Sequence, residues 1–300
     1  MCWLCSLKSP GAAVEHEVGA FARPAAGAVW APRRAFLKLA AGSAAAGALA
    51  PALAQVDVGK PSTLRTLVPA ETLERSAHQQ YAQVLAEARA KGALAPDDHP
   101  TLRALRGIAQ RLIPHTTQWN PRARDWRWEV NLIGSKQVNA WCMPGGKIAF
   151  YTGILDQLKL GNDEAAMVMG HEMAHALREH ARERIAKTEA TNLGLRLGAQ
   201  LLGLGQIGDM AAGLGAQLLS LKYSRDDETE ADLVGLEIAA RAAYKPEASV
   251  QLWQKMASLK GGAEGPAFLS THPNSPERIR QLEANVPKVL PLYQQALARG

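Results

Sequence analysis

Asn162-Asp163-Glu164-Ala165-Ala166-Met167-Val168-Met169-Gly170-His171-Glu172-Met173-Ala174-His175 is the stretch that decides how the rest of the chain is read. Asn162-Asp163 has the composition of an N-cap, and the apolar run behind it predicts a helix that reaches His171 after about two turns. At about 100° per residue, His175 lies roughly 40° from His171 and Glu172 roughly 100° from it, so all three face one quadrant. Two neutral imidazoles one turn apart can hold one metal ion, and the carboxylate between them is left beside the position a water would take. That is the pattern of metal-assisted peptide hydrolysis. The same run arises by chance in about one chain in a hundred, so its surroundings have to carry weight. His180, carried on along the same wheel, falls about 180° from His171 and is expected to be a structural or surface residue, not a ligand.

Composition bounds the alternatives. A chain of 300 residues with 47% hydrophobic and 21% charged side chains is an ordinary globular protein with room for a substantial core. Residues 1–54 hold five Lys/Arg and two Asp/Glu, and the remainder carries 29 basic and 26 acidic side chains, too balanced to argue for nucleic acid. Within that N-terminal segment, Arg33-Arg34-Ala35-Phe36-Leu37-Lys38 precedes a weakly apolar Ala/Gly-rich stretch, and Ala52-Leu53-Ala54 has the small residues of a signal-peptidase site. Residues 1–54 are therefore expected to be a twin-arginine-type export signal and 55–300 a single domain of the periplasm. Cys142 is the lone cysteine after residue 54, which excludes an intramolecular disulfide and a cysteine zinc site there.

Beyond the signal, helices are expected from Thr72 to about Ala93 and from Pro100 to about Ile113. Trp126–Ile133 alternates as a half-buried strand does, and Asn139–Met143 and Lys147–Thr152 flank Pro144-Gly145-Gly146 as a hairpin. A small antiparallel sheet is thus expected immediately before the helix that carries His171, with Lys147–Thr152 as an edge to which an extended peptide could add. Residues 193–221 are rich in Gly, Ala and Leu, and seven glycines interrupt them, so two short helices over a cleft are expected in place of a membrane span. They are also a candidate surface for peripheral membrane contact.

A catalytic zinc needs a third protein ligand, and Asp226-Asp227-Glu228-Thr229-Glu230-Ala231-Asp232 is the source to hand. With Glu228 at 0°, Asp232 falls near about 40°, Gly235 near 340° and Ala239 near 20°, a face of small residues that can approach another helix. Glu230, near about 200°, shares a polar face with Glu237 and Arg241. Glu228 is therefore the expected ligand, and Asp232 the acceptor that fixes a histidine tautomer.

These segments, with Ser224-Arg225 ahead of the acidic run, Asn139-Ala140, Tyr151-Thr152-Gly153-Ile154-Leu155, and Thr271-His272-Pro273 with Arg278, resemble the HtpX/Ste-type zinc metalloendopeptidases. That family includes the CAAX prenyl protease and periplasmic proteases of outer-membrane quality control, and the resemblance covers about Val130 to Leu282. It implies an α+β, mostly helical, zincin-like fold with the small antiparallel sheet beside the metal helix. It implies one Zn2+ per chain held by His171, His175 and Glu228, with Glu172 as general base, Asp232 in support, and His272 and Arg278 at the cleft as donors to the developing oxyanion. His272 has a second expected role, as a neutral imidazole that takes the open metal position and holds the enzyme latent. Unlike the membrane-embedded members, this sequence shows no transmembrane segment, so the expected substrates are unfolded or misfolded periplasmic and outer-membrane polypeptides. The rival expectation is a zinc-containing chaperone or assembly factor that binds such clients with little or no proteolysis.

Overall fold

The computed structural model describes residues 56–188, 218–219, 221–259, 267–273 and 275–299. The expected signal at 1–54 and most of the apolar stretch 193–221 lie outside the described residues. Helix α1 spans Ala70–Ala90 and α2 spans Pro100–Leu112, the latter opened by Pro100, whose fixed φ suits a first turn. Strands β1 (Glu129–Ile133), β2 (Ala140–Met143) and β3 (Lys147–Tyr151) follow, then α3 (Thr152–Gln157) and α4 (Asn162–Leu177). The chain is helical again over 180–188. Later come α5 (Arg225–Arg241), α6 (Ala248–Ser258), α7 (Ala267–Thr271) and α8 (Pro276–Arg299). Among the described residues, no helix is long and apolar enough to cross a membrane.

The sheet is mixed, with strand order β1-β3-β2, which corrects the expectation of an antiparallel one. β2 and β3 form the antiparallel hairpin, turned through Gly145 and Gly146, whose φ of 84° and 76° side chains rarely adopt. β1, however, pairs parallel with β3, Val130 opposite Ile148 and Leu132 opposite Phe150. β3 is therefore the central strand, and Lys147–Thr152 is not an edge. The outer side of β1 is in turn engaged by residues 93–95, with Ala95 N–H donating to Leu132 O and Gly134 N–H to Ala93 O.

Both faces of the sheet are covered, which is why β2 and β3 are buried along their whole length. Val130, Leu132, Ala140, Cys142, Ile148 and Phe150 point into the large core shared with α2, α4 and α5. Ile133, Trp141, Met143, Ala149 and Tyr151 point the other way, against Leu73, Ala77 and Tyr81 of α1. Tyr81 fastens this layer by donating its hydroxyl to Ile148 O at 2.9 Å and accepting from Asn131 at 2.9 Å. The result is an α+β domain in which α4 lies between the sheet and α5.

Candidate metal centre

α4 starts at Asn162, capped by Gly161, whose N–H donates to the Glu164 carboxylate at 2.9 Å. The cap is therefore one residue earlier than the sequence predicts. α5 is opened by Ser224, with Ser224 and Asp227 bonded reciprocally in a capping box. The two helices cross at Gly170 and Gly235. A Cβ on Gly235 would lie 2.6 Å from His171 N, and one on Gly170 would lie 2.9 Å from Gly235 O, so only hydrogen fits at the crossing. This close approach brings the face of Glu228 and Asp232 onto that of His171 and His175.

His171, His175, Glu228 and His272 are buried, and each offers a donor atom within 4.8 Å of all the others. His171 Nε2 and His175 Nε2 are 3.1 Å apart, and each is 3.6 Å from a Glu228 oxygen. His272 Nδ1 lies 2.9 Å from Glu228 Oε1 and 3.3 Å from His171 Nε2. His171 Nδ1 lies 3.0 Å from Asp232 Oδ1, and since the carboxylate can only accept, the proton of His171 is at Nδ1 and its Nε2 presents a lone pair. Lone pairs thus converge from imidazole and carboxylate, an arrangement that repels itself unless a cation occupies it. Glu172 Oε1 is moreover buried without a hydrogen-bond partner. The nitrogen and oxygen donor set suits zinc.

Charges around the centre are set by burial first. Burial pushes the Glu172 carboxyl above the usual carboxylate range against the opposing pull of His272 and His171, while its carboxylate accepts from the Cys142 backbone N–H on β2. Burial, with His171 and His180 nearby, holds His175 well below the ordinary imidazole range, so it is neutral. For Glu228, burial opposes ionisation, but His272, Arg278 and His171 together outweigh it and hold its pKa down.

Arg278 is placed differently from a free donor. Its Nε donates to Asp232 Oδ2 at 2.7 Å and its Nη2 to Asp232 Oδ1 at 2.8 Å. Nη1 donates to Pro273 O at 3.1 Å and lies 2.7 Å from Glu228 Oε2. The guanidinium also stacks 3.6 Å over Trp253, whose indole N–H donates to Asp232 Oδ1 at 3.2 Å. Arg278 is thus committed to the carboxylates, and its geometry is that of a residue that holds Glu228 and Asp232 in place. It comes from α8, while the short α7 delivers His272, whose Nε2 lies 3.5 Å from Glu172 Oε1.

Two groups escaped the sequence pattern, and one is settled between its two expected roles. Trp253 was lost among apolar positions of α6. Tyr223, just ahead of the Ser224 cap, stacks on His175 with ring centroids 4.0 Å apart. His180 is buried and touches His175, so it is structural and not a surface residue. The wheel misplaced it because α4 ends at Leu177 and Glu179, at φ 59°, turns the chain. Glu237 also departs from its expected polar face: it is fully buried, accepts from Val56 N–H at 2.6 Å, and pairs with Arg241.

Two crossed helices bring together two histidines and a glutamate able to hold a metal ion, with the Glu172 carboxylate beside them, a centre of the metallopeptidase type. The model of peptidase family M48 matches residues 102–286, more than half of the chain, and the chain belongs to that family, whose metallopeptidases use zinc. Its relatives include the mitochondrial metalloendopeptidase OMA1 of Schizosaccharomyces pombe, 35% identical over 72% of this chain and 61% of the relative. In Escherichia coli, the metalloprotease YcaL is 29% identical over 51% of this chain and 59% of the relative. The metalloprotease LoiP of the same organism is 29% identical over 49% and 58%. This chain spans between 34% and 61% of the length of the OMA1 proteins of fission yeast, Arabidopsis thaliana and Saccharomyces cerevisiae.

Proposed function

We propose that the protein is a zinc-dependent metalloendopeptidase of the cell envelope, acting on unfolded or misfolded periplasmic and outer-membrane polypeptides. The observation that carries the hydrolytic part is the pairing of a convergent acceptor set with Glu172, whose Oε1 is buried and unpartnered beside it. His171, His175 and Glu228 would hold the ion. Bound there, zinc would supply Lewis acidity, acidifying a water towards a pKa of about 7 and polarising the scissile carbonyl. Glu172 is placed to accept a proton at Oε1 and to deliver it to the leaving amine nitrogen. Burial, which raises its pKa, favours its holding the proton between the two transfers. A chaperone with a structural zinc would gain nothing from this carboxylate.

Asp232 and Arg278 hold the site in register, Asp232 by fixing His171 and Arg278 by neutralising Asp232 and Glu228. His272 stands at the fourth corner of the donor group, a place that fits the latency role once the Nδ1 proton it shares with Glu228 is lost. The resemblance of Arg33-Arg34 and the Ala/Gly-rich stretch after it to a twin-arginine export signal supports an envelope location. A backbone-reading mode of substrate binding moves from β3 to the β2 side, next to Glu172. The test is incubation of zinc-loaded protein, with and without chelator, with unfolded envelope proteins and with the same proteins folded. Chelator-sensitive peptides from the unfolded set alone, read by mass spectrometry, are expected. Absence of any cleavage by the loaded protein would overturn the proposal.

A further inference from the structure

His175 is oriented by groups distinct from those that hold His171. Its Nδ1 lies 2.9 Å from Nδ1 of His180. Nε2 of His180 lies 3.3 Å from Glu230 Oε2, and the same oxygen accepts from Arg178 Nε at 2.7 Å. Arg178 Nη2 donates in turn to Gly59 O at 3.0 Å, in the first segment of the described chain. His180 and Arg178 are buried and Glu230 is half-buried. The turn that makes this possible is Glu179, which breaks α4 in the left-handed region and is held by Arg65 at 3.1 Å and Arg182 at 2.9 Å.

Proton positions follow from the chemistry of the partners. The Glu230 carboxylate, bonded to Arg178, can only accept, so His180 carries its proton at Nε2. A neutral His180 then presents a lone pair at Nδ1. The contact between the two Nδ1 atoms needs one proton, and only His175 is left to supply it. His175 Nε2 is thereby a lone pair facing His171 Nε2 and Glu228. The opposite tautomer would put an N–H into the centre and block it.

We propose that Glu230 and His180 form a relay that fixes the ligating tautomer of His175, with Arg178 tying the relay to Val58–Gly59. His180 then does for His175 what Asp232 does for His171, by a histidine and a carboxylate in series. These are positioning residues, and the inference rests on the metal-centre part of the proposed function but on no proteolysis.

The test uses the full-length protein stripped of metal. Nitrogen NMR of the histidine rings reports which atom of His175 carries the proton, and titration of zinc against a chromogenic chelator reports affinity. The wild type is expected to show His175 protonated at Nδ1. His180→Phe is expected to populate the Nε2-protonated form and to weaken zinc binding roughly 10- to 100-fold, as loss of such a partner does elsewhere. His180→Gln, whose amide oxygen can accept the Nδ1–H, is expected to recover most of the affinity. Zinc binding by His180→Phe within twofold of the wild type, or a wild-type His175 protonated at Nε2, would overturn the relay. Should His180→Phe fail to fold, Glu230→Ala makes the same comparison from a half-buried position, and affinity within twofold of the wild type again overturns it. Neither readout uses turnover, so a wild type that binds zinc but cleaves no peptide would count against the peptidase proposal alone.

Discussion

The crossing of α4 and α5 and the short helix that leads into His272 meet at one centre, but they are built to different rules. At the crossing, three donor residues ride on helices of 16 and 17 residues that are buried through most of their length and locked by two facing glycines. His272 follows a five-residue helix tied down by Phe268 N–H to Val138 O at 3.0 Å and by Tyr223 N–H to Thr271 O at 3.4 Å, with Phe268 buried in the core. Positions that must be fixed before a metal arrives are thus set by backbone packing. His272 is instead carried by a short element anchored in the core through the one buried ring of Phe268.

The hardest way to break that contrast is to fill the crossing. Gly235→Val puts a branched side chain where even a Cβ lies 2.6 Å from His171 N, so the helices must separate. We expect a loss of stability of about 1–3 kcal/mol or more, together with loss of bound zinc. Thermal unfolding and metal content check this; full zinc retention at an unchanged melting temperature would refute the close-crossing account.

Asp232→Asn should leave the crossing intact while removing the anchor of His171. Zinc affinity is expected to fall roughly 10- to 100-fold, measured by chelator competition. The same variant sharpens the electrostatics of the metal-free protein. Burial opposes ionisation of Asp232, but Arg278 and His171 win and lower its pKa from 3.8 to about 2. A depressed carboxyl contributes stability that is present above its unfolded pKa and lost as pH falls through the folded one. Metal-free wild type should therefore lose stability between about pH 4 and pH 2 more steeply than Asp232→Asn, and parallel acid-unfolding curves would show that the shift is not there.

The mildest change lies on the other side of the comparison. His272→Ala is expected to keep the fold and the zinc and to raise peptidase activity several-fold by freeing the fourth position. An unchanged rate would end the latency role, and a lower one would reassign His272 to transition-state donation.

The centre was legible where local periodicity encodes it. His171, Glu172 and His175 share a helix face by spacing alone, and Glu228 with Asp232 stood out because Ala231, Gly235 and Ala239 leave their face narrow. What sequence alone could not give depends on distant chain. The parallel pairing of β1 with β3 is set by a register between segments separated by β2, and no alternation pattern carries that information. His180 was misplaced because a wheel assumes an unbroken helix, whereas the break at Glu179 is stabilised by Arg65 from far upstream. Glu237 looked solvated because its partner, the Val56 N–H, lies 181 residues away.

The most direct test of hydrolysis at this centre is Glu172→Gln, assayed for zinc content and peptide release on the same sample. We expect an unchanged fold, zinc bound as in the wild type, and cleavage of unfolded protein lowered by about 10²- to 10⁴-fold. Cleavage at the wild-type rate by a zinc-loaded Glu172→Gln would contradict that expectation.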